Sequence, residues 1–346
     1  MRILICDAQV PFAHGGAEIL VRSLHGELKR RGHQVDVVTV PYNWKTREQL
    51  LAAALPWRLI DLERVDGERV DLVIATRFPS YLVRHPNKVV WLVHQLRQIY
   101  DLKGTRHSDF GDGERDAKVI EAVRAMDRQG LGEARRVFTI SRNTADRLVR
   151  FNDLAASVLY PPPRLAAAHH AGPFGDYVFS AGRLDPLKRF DQLLRAVAAC
   201  ARPVRCRIAG VGTEREPLLE LAKRLGIADR VDLLGWVSDE RLVEEYAGAL
   251  AVYYAPFDED YGYVTLEGFL AAKPVLTTAD AGGVLEFVRD GINGFVAPAE
   301  STRALATALD RLFDDRPLAE RLGEAGRQSV AAIGWDSVID GLLAEA

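Results

Sequence analysis

Short apolar runs alternate with amphipathic segments along most of this chain. In the first half, the runs predict buried strands at residues 2–6, 35–40, 72–75, 89–93, 137–140 and 157–160. Leu20, Leu24 and Leu28 recur at helical spacing and form one apolar stripe, so a helix is predicted between the first two strands. Strands that alternate with helices favour a parallel sheet with helices on both faces.

A stretch rich in proline and alanine interrupts this pattern after Tyr160. Three prolines follow directly, and Gly172-Pro173 ends a stretch that reads as a stiff connector. The alternation then resumes, with strands predicted at 177–181, 205–209, 231–234, 250–254, 275–278 and 295–297. The sequence therefore predicts the α/β class, as two Rossmann-like doubly wound domains that face each other across a cleft, at residues 1–163 and 174–330.

Composition narrows the class of protein. The chain has 346 residues, of which 48% are hydrophobic and 27% charged, and its formal net charge of -3 argues against a nucleic-acid partner. Its three cysteines, Cys6, Cys200 and Cys206, have no metal-like spacing, which favours buried thiols over a zinc or redox site. No secretory signal or spanning apolar segment occurs, so a cytoplasmic location is expected.

The stretch at 250–274 carries the most suggestive chemistry. A predicted strand breaks at Pro256 into an acidic turn, and Gly262 leads into a helix predicted at 264–272. Glu259 lies in the turn and Glu267 lies one turn into the helix, so both carboxylates can face one cleft. Backbone amides at a helix N-terminus favour an anion. The alternatives are an acidic surface loop with a dipole-stabilising glutamate, or a carboxylate pair for glycoside hydrolysis.

Two cations follow the first predicted strand of the second half. Arg183 and Lys188 lie in the strand–helix loop and at the helix start, after a glycine that permits a tight exit. They can neutralise a diphosphate without a metal, because arginine binds such oxygens in bidentate fashion and lysine acts as a point charge. A solvated basic helix start is the competing interpretation.

Glycine loops recur where predicted strands end. Gly15 and Gly16, after His14, open the first helix, and similar loops occur at 210–212 and 282–283. One Gly-Gly pair is usually a plain turn, but several at the carboxyl ends of strands suggest a cleft lined by backbone donors. His94 ends a predicted strand and is expected to point into the same cleft, either to orient an acceptor or as a structural histidine.

The segment 44–65 combines helical apolar spacing with basic residues. A helix that lies on a membrane surface is one interpretation. An ordinary packed helix is favoured, because Glu48, Asp61 and Glu63 dilute the basic character.

Together these motifs resemble the retaining family-4 glycosyltransferases of the GT-B fold, over essentially the whole chain. The family signature E-x-F-G-x-x-x-x-E appears from Glu259 to Glu267, with Tyr261 in place of phenylalanine. Ala-Lys-Pro-Val and Ala-Gly-Gly continue the family pattern after it. The segment from Ser180 to Lys188 resembles the phosphate-binding G-R…K segment, and Gly15-Gly16-Ala-Glu resembles the N-terminal loop.

The resemblance implies a role for each matched residue. Arg183 and Lys188 would hold the diphosphate of a nucleotide sugar, Glu267 the ribose, and Glu259 the transferred sugar. The remaining implied contacts come from Gly15, Gly16, His94, Val237, Asp260, Tyr261, Gly262, Tyr263 and Val264. The resemblance further implies an acceptor-side domain at 1–163, a nucleotide-sugar domain at 174–330, a helix within 331–346 that crosses back to the first domain, and transfer without cofactor or metal.

The chain departs from the family pattern at two places. Val211 stands where many members have aspartate in a G-D-G turn, and Tyr160-Pro-Pro-Pro replaces the common N-G-V-D connector. Some members with mannose or related donors have a Tyr-Pro-Pro connector and a segment like the one from His94 to Leu102, and this resemblance favours a GDP-sugar, with a UDP-sugar next. Expected partners are the nucleotide sugar and a glycan or lipid-linked glycan acceptor, with peripheral membrane contact left open. The alternative functions are an epimerase or phosphorylase on a similar scaffold, or a non-catalytic sugar-nucleotide-binding subunit.

Overall fold

The chain forms two compact units. The structure, a computed structural model, describes residues 1–11 and 15–344. One unit comprises Met1–Pro161 together with the segment that begins at Gly334, and the other comprises Pro162–Ile333. The division thus falls between the first two of the prolines that follow Tyr160.

The first unit is built on a parallel six-stranded sheet of order β2-β1-β5-β6-β7-β8. Its strands are β1 (Arg2–Gln9), β2 (Gln34–Pro41), β5 (Leu72–Ala75), β6 (Lys88–Leu92), β7 (Arg136–Thr139) and β8 (Ser157–Val158), and β3 (Arg64–Val65) pairs with β4 (Glu68–Arg69) in a separate hairpin. Its helices are α1 (Gly16–Arg30), α2 (Arg47–Ala52), α3 (Leu55–Leu59), α4 (Glu114–Gly132), α5 (Arg142–Asn152) and the late helix α12 (Trp335–Leu343).

Local sequence explains how α1 forms and ends. Leu20, Leu24 and Leu28 are almost completely buried, as their spacing predicts. The helix ends where Gly32 adopts a φ of 86°, and its N–H donates to the Lys29 carbonyl while the next N–H donates to the Leu28 carbonyl. This pair of bonds satisfies carbonyls that the helix end would otherwise leave without partners.

Helix α12 packs on the first unit although it lies at the other end of the chain. The Trp335 ring meets the Trp91 ring edge-on with centroids 6.3 Å apart, and Gly341 lies against Leu159. The Arg31 guanidinium also bonds the Asp336 carboxylate. The last helix is therefore part of the unit formed by the first 161 residues.

The second unit has a parallel sheet of order β11-β10-β9-β12-β13-β14. Its strands are β9 (Tyr177–Ala181), β10 (Arg205–Ala209), β11 (Val231–Gly235), β12 (Ala251–Tyr253), β13 (Val275–Thr278) and β14 (Gly294–Ala297). Its helices are α6 (Phe190–Ala199), α7 (Arg215–Arg224), α8 (Asp239–Ala247), α9 (Tyr263–Leu270), α10 (Thr302–Asp314) and α11 (Arg316–Val330).

Most predicted elements are present, and the differences lie at their ends. The predicted helix at 264–272 begins one residue earlier and ends at Leu270, because Ala272 turns to a φ of 53°. The predicted strand at 157–160 stops at Val158, close to prolines that have no N–H to donate to a neighbouring strand. The segment 44–65 forms two short helices, of which α3 buries Trp57 and exposes Leu55 and Leu59.

In the part of the chain that the structure describes, no helix has both the length and the apolar character needed to cross a membrane.

Candidate functional site

The candidate site lies where the strand order of the second sheet reverses, between β9 and β12. In open α/β sheets, ligands bind at such switch points, at the carboxyl ends of the strands. The loop after β9 contains a short 3-10 turn, Pro186–Lys188, which the Asp185 carboxylate caps by accepting the Leu187 N–H at 3.1 Å. The Leu187 carbonyl in turn accepts the Phe257 N–H at 2.9 Å, so this turn is bonded to the acidic turn after β12.

Lys188 and Glu259 form an ion pair at this switch point. The Lys188 ammonium donates to the Glu259 carboxylate at 2.7 Å and to the Tyr254 hydroxyl at 3.0 Å. Burial by itself would lower the pKa of Lys188, but the carboxylate and the hydroxyl outweigh it and raise the pKa. Lys188 is therefore a firmly charged cation in direct contact with Glu259.

Arg183 occupies the same loop but is differently placed. Its side chain is 64% exposed, and its guanidinium donates to the Asp185 carboxylate at 2.8 Å. An ion pair this exposed stabilises the fold little. Arg183 therefore remains available to an anionic ligand at the carboxyl end of β9.

The acidic turn is held by its backbone. The Glu259 N–H donates to the Ala281 carbonyl at 3.2 Å, and the Glu259 carbonyl accepts the Gly283 N–H at 2.7 Å. Gly283 leaves no room for a side chain, because a Cβ there would lie 2.4 Å from the Asp260 carbonyl oxygen. These two bonds hold the Glu259 backbone, so they restrict the direction of its side chain.

Glu267 lies in the second turn of α9, away from the Lys188 pair. Its carboxylate accepts the Tyr246 hydroxyl at 2.7 Å. Burial raises the pKa of Glu267, partly offset by that hydrogen bond and by the charge of Arg164. The site thus contains a second, largely dehydrated carboxylate with capacity for further hydroxyl donors.

The start of α9 offers backbone donors between these two carboxylates. Gly262 precedes the helix with a φ of 93°, and a Cβ there would lie 2.9 Å from the Tyr254 ring. Tyr263 and Val264 are the first helical residues, whose N–H groups have no carbonyl within the helix. Tyr261 packs its ring on Tyr263 and Phe287, so its side chain belongs to the core, and any ligand contact at 260–261 is expected from the backbone.

Two further predicted site residues, Val237 and His94, belong to other segments of the chain. Val237 follows β11 in the loop to α8, next to Trp236, which is 80% exposed. His94 belongs to the first unit and follows β6, and its Nδ1 lies 2.8 Å from the Gln95 carbonyl oxygen. Their predicted ligand contacts stay predictions.

The glycine loops differ from the expectation of a cleft lined by backbone donors. The N–H groups of Gly182, Gly210 and Gly283 all donate to backbone carbonyls of the same unit. A Cβ on Gly210 would lie 1.8 Å from the Gly182 carbonyl oxygen, so this glycine permits two loops to touch. At Gly15, the N–H donates to the Glu18 carboxylate at 2.9 Å. Gly16 begins α1, and His14 lies outside the described residues.

Sequence reasoning missed Arg189, which anchors the acidic turn. Arg189 has a φ of 50° and is buried. Its guanidinium donates to the carbonyls of Ala255 and Pro256 at 2.8 and 2.7 Å, and to both oxygens of Asp280. In the sequence it is only the second residue of a Lys-Arg pair, and nothing local marks it as buried.

The first unit has a charged cluster at its own switch point, between β1 and β5. Arg77 bonds both oxygens of Asp7 at 3.0 Å and donates to Glu18 at 2.7 Å. Asp7 also accepts the Thr76 hydroxyl at 2.6 Å. Since Glu18 accepts the Gly15 N–H, this cluster fixes the glycine turn that precedes α1.

Residues 1–11 and 15–344 contain no group of three or more His, Cys, Asp or Glu side chains placed to hold a metal ion. Cys6 and Cys206 are buried free thiols, and Cys200 is a partly buried one, as the spacing predicted.

Comparisons with known proteins agree with this architecture. The profile of the family described as Glycosyltransferase Family 4 matches residues 14–162, and that of Glycosyl transferases group 1 matches residues 173–329. A D-inositol 3-phosphate glycosyltransferase of Streptomyces griseus is 31% identical over 286 residues, which are 71% of this chain and 59% of that protein. The chain thus spans about 60% of the length of the curated relatives it matches.

Two solved structures show the same fold over nearly the whole chain. Sucrose-phosphate synthase from Thermosynechococcus elongatus superposes with a TM-score of 0.77 at 20% identity, covering 99% of this chain and 98% of that one. Anabaena HepE in complex with UDP gives 0.73 at 18% identity, with the same coverage. The two parallel-sheet units therefore have the GT-B fold, and the chain belongs to the group 1, family 4 glycosyltransferases.

Proposed function

We propose that the chain is a retaining glycosyltransferase of polysaccharide biosynthesis that moves a hexose from a nucleotide-diphosphate sugar to a glycan or lipid-linked glycan. The observation that carries this proposal is the Lys188–Glu259 pair at the switch point of the second unit, with Glu267 on the adjoining helix. These groups supply a cation for a leaving diphosphate and two carboxylates for hydroxyl groups.

Each part of the donor has a matching chemical group. Lys188 and Arg183 would neutralise the diphosphate, and the N–H groups of Tyr263 and Val264 would add backbone donors. Glu267 would accept ribose hydroxyls, because its carboxylate has accepting capacity beyond the Tyr246 hydroxyl. Glu259 would accept hydroxyls of the transferred sugar once Lys188 turns toward the diphosphate.

Transfer with retention would proceed on one face of the sugar. The bond between the anomeric carbon and the diphosphate oxygen breaks, and a bond to the acceptor oxygen forms on the same face. The acceptor proton passes to the departing diphosphate. No protein nucleophile takes part, so positioning and stabilisation of the leaving diphosphate supply the rate enhancement.

The choice of donor and acceptor rests on one sequence motif and on two similar proteins. The Tyr-Pro-Pro connector favours a GDP-sugar such as GDP-mannose, whereas HepE was crystallised with UDP. The S. griseus relative is named for D-inositol 3-phosphate, which adds a phosphorylated polyol to the acceptors worth testing.

The first experiment is calorimetric titration with UDP-, GDP-, ADP- and TDP-sugars, each with EDTA and with magnesium. Tight binding of one donor in both conditions is expected. Lys188→Ala and Glu267→Ala should abolish that binding, while Glu259→Ala should bind the donor and lose transfer. Normal turnover by Lys188→Ala would overturn the diphosphate assignment.

Whether the reaction needs an acceptor distinguishes a transferase from the alternative functions. The bound donor is incubated with a glycan, a lipid-linked glycan or D-inositol 3-phosphate, and the linkage of the product is determined by NMR. Acceptor-dependent transfer with retained anomeric configuration is expected. Conversion of the donor without an acceptor would indicate an epimerase, and binding without turnover of any kind would indicate a non-catalytic subunit.

A further inference from the structure

Tyr254 is a buried residue at the candidate site that the family signature does not include. It directly follows β12, and its N–H donates to the Leu276 carbonyl at 2.9 Å, so its backbone is tied to the next strand. Only 5% of its surface is exposed. A buried tyrosine hydroxyl needs hydrogen-bond partners, and here the available partners are both charged.

The hydroxyl lies beside the Lys188–Glu259 ion pair. It accepts a hydrogen bond from the Lys188 ammonium at 3.0 Å. It is also hydrogen-bonded to the Glu259 carboxylate. Because an ammonium can only donate and a carboxylate can only accept, the hydroxyl accepts a hydrogen bond from the lysine and donates one to the glutamate.

The ring of Tyr254 makes a third connection. It lies so close to Gly262 that a Cβ on that glycine would come within 2.9 Å of the ring carbon Cε1. Gly262 precedes α9, whose first N–H groups belong to the candidate site. One rigid side chain with few rotatable bonds therefore contacts the lysine, the glutamate and the start of the helix.

We propose that Tyr254 is a positioning residue that sets the placement of the Lys188 ammonium relative to the Glu259 carboxylate during sugar transfer. This inference rests on the proposed function. When a donor diphosphate draws Lys188 away from Glu259, the hydroxyl keeps a hydrogen bond with each side chain. The flexible lysine and glutamate side chains are then better oriented than they would be beside an apolar side chain, which offers no hydrogen bond. Correct orientation of charged groups contributes to the rate mainly in the transition state.

The variant Tyr254→Phe tests this role because it removes the hydroxyl and keeps the ring against Gly262. Its expected kcat is about 10- to 100-fold lower than that of the wild-type protein, with a donor KM changed less than about 3-fold. Tyr177→Phe is the matched control. Tyr177 is similarly buried and begins β9, at the end of that strand opposite to the loop that carries Lys188. Its hydroxyl donates to the Glu245 carbonyl. It should lower the melting temperature about as much as Tyr254→Phe and leave kcat unchanged.

A double-mutant cycle with Glu259→Gln distinguishes positioning from simple stabilisation. If the hydroxyl acts through Glu259 and Lys188, Tyr254→Phe should lower kcat less than about 3-fold once Glu259 is already altered. A radiolabelled donor extends the measurement to slow variants. Equal losses in both backgrounds would assign the hydroxyl a role independent of the pair and overturn the proposal.

The outcomes also separate this inference from the proposed function. Wild-type kcat in Tyr254→Phe, in a preparation whose wild-type protein transfers sugar, overturns the role of Tyr254 alone. A wild-type protein that binds none of the four nucleotide-sugar classes overturns the proposed function and this inference with it.

Discussion

The two units place charged residues at corresponding points of their sheets but use them differently. In the first unit the strand order reverses between β1 and β5, and the Arg77 guanidinium there is enclosed by Asp7 and Glu18. In the second unit the order reverses between β9 and β12, where Lys188 meets Glu259. Arg77 has 7% of its side chain exposed, whereas Lys188 and Glu259 have 16% and 20%.

This difference shows that a switch point supplies a location and does not by itself supply a binding site. Arg77 pairs with two carboxylates, which also accept hydrogen bonds from Thr76 and Gly15. Its charge is therefore neutralised within the first unit. Lys188 has one carboxylate partner, and Arg183 in the same loop is mostly exposed. Cations at the second switch point can exchange a protein carboxylate for a ligand phosphate, whereas Arg77, among residues 1–11 and 15–344, is held by two carboxylates of its own unit.

The largest expected effect is on stability, and it distinguishes Arg77 of the first unit from Arg183 of the second. Arg77→Ala should lower the free energy of unfolding by about 3–5 kcal/mol, because it leaves the buried Asp7 carboxylate without its charge partner. Arg183→Ala should change it by less than about 1 kcal/mol, since its ion pair is exposed. Urea unfolding followed by far-ultraviolet circular dichroism suits this test, because both units contribute helices to the signal. Equal losses for both variants would remove the distinction between the two clusters.

A smaller expected effect concerns turnover. Lys188→Ala should lower kcat/KM for the donor by at least about 100- to 1000-fold, because it removes both a donor contact and a group that stabilises developing charge. The matched control is Lys223→Ala, which removes a lysine of α7 whose side chain is 65% exposed and pairs with Glu220. Circular dichroism confirms that both variants are folded, and steady-state rates with the preferred donor give the comparison. A Lys188→Ala rate within 3-fold of the control would indicate that this switch point has no catalytic part.

The smallest expected effect is the change of stability with pH that a buried carboxylate produces. Asp127 in the first unit accepts the hydroxyls of Tyr81 and Tyr100, as Glu267 accepts that of Tyr246. Burial outweighs those hydrogen bonds and raises the pKa of Asp127 from 3.8 to about 6. The folded protein therefore takes up this proton at a higher pH than the unfolded chain, and the free energy of unfolding gains from Asp127 as pH falls from about 6 toward 4.

The variant Asp127→Asn isolates that contribution because it carries no charge at any pH. The difference in unfolding free energy between wild-type protein and variant should shift by at most about 3 kcal/mol between pH 7 and pH 4, in favour of the wild-type protein at low pH. Chemical unfolding at a series of pH values measures it. A difference that does not change with pH would show that Asp127 has an ordinary pKa.

Several elements could be predicted residue for residue. The strands at 72–75, 177–181, 205–209 and 275–278 have the predicted bounds, because each is a short apolar run between turn residues. Lys188 and Glu259 were predicted as site residues in two separate motifs, and the structure brings their charged groups to 2.7 Å. Arg77, Tyr254 and Arg189 were not predicted. Along the chain, Arg77 lies 70 residues from Asp7, Tyr254 lies 66 from Lys188 and Arg189 lies 91 from Asp280.

The sequence by itself determined the alternation of strands and helices, the break after Tyr160 and the candidate residues of the second unit, because these depend on local spacing and turn chemistry. The tertiary structure decided which charges are neutralised within the fold and which face outward. It also decided that Gly210 and Gly283 permit close backbone packing and that their N–H groups donate to backbone carbonyls. The reason is physical: whether a charge or an N–H group is available depends on what lies within about 3 Å of it, and those neighbours come from distant parts of the chain.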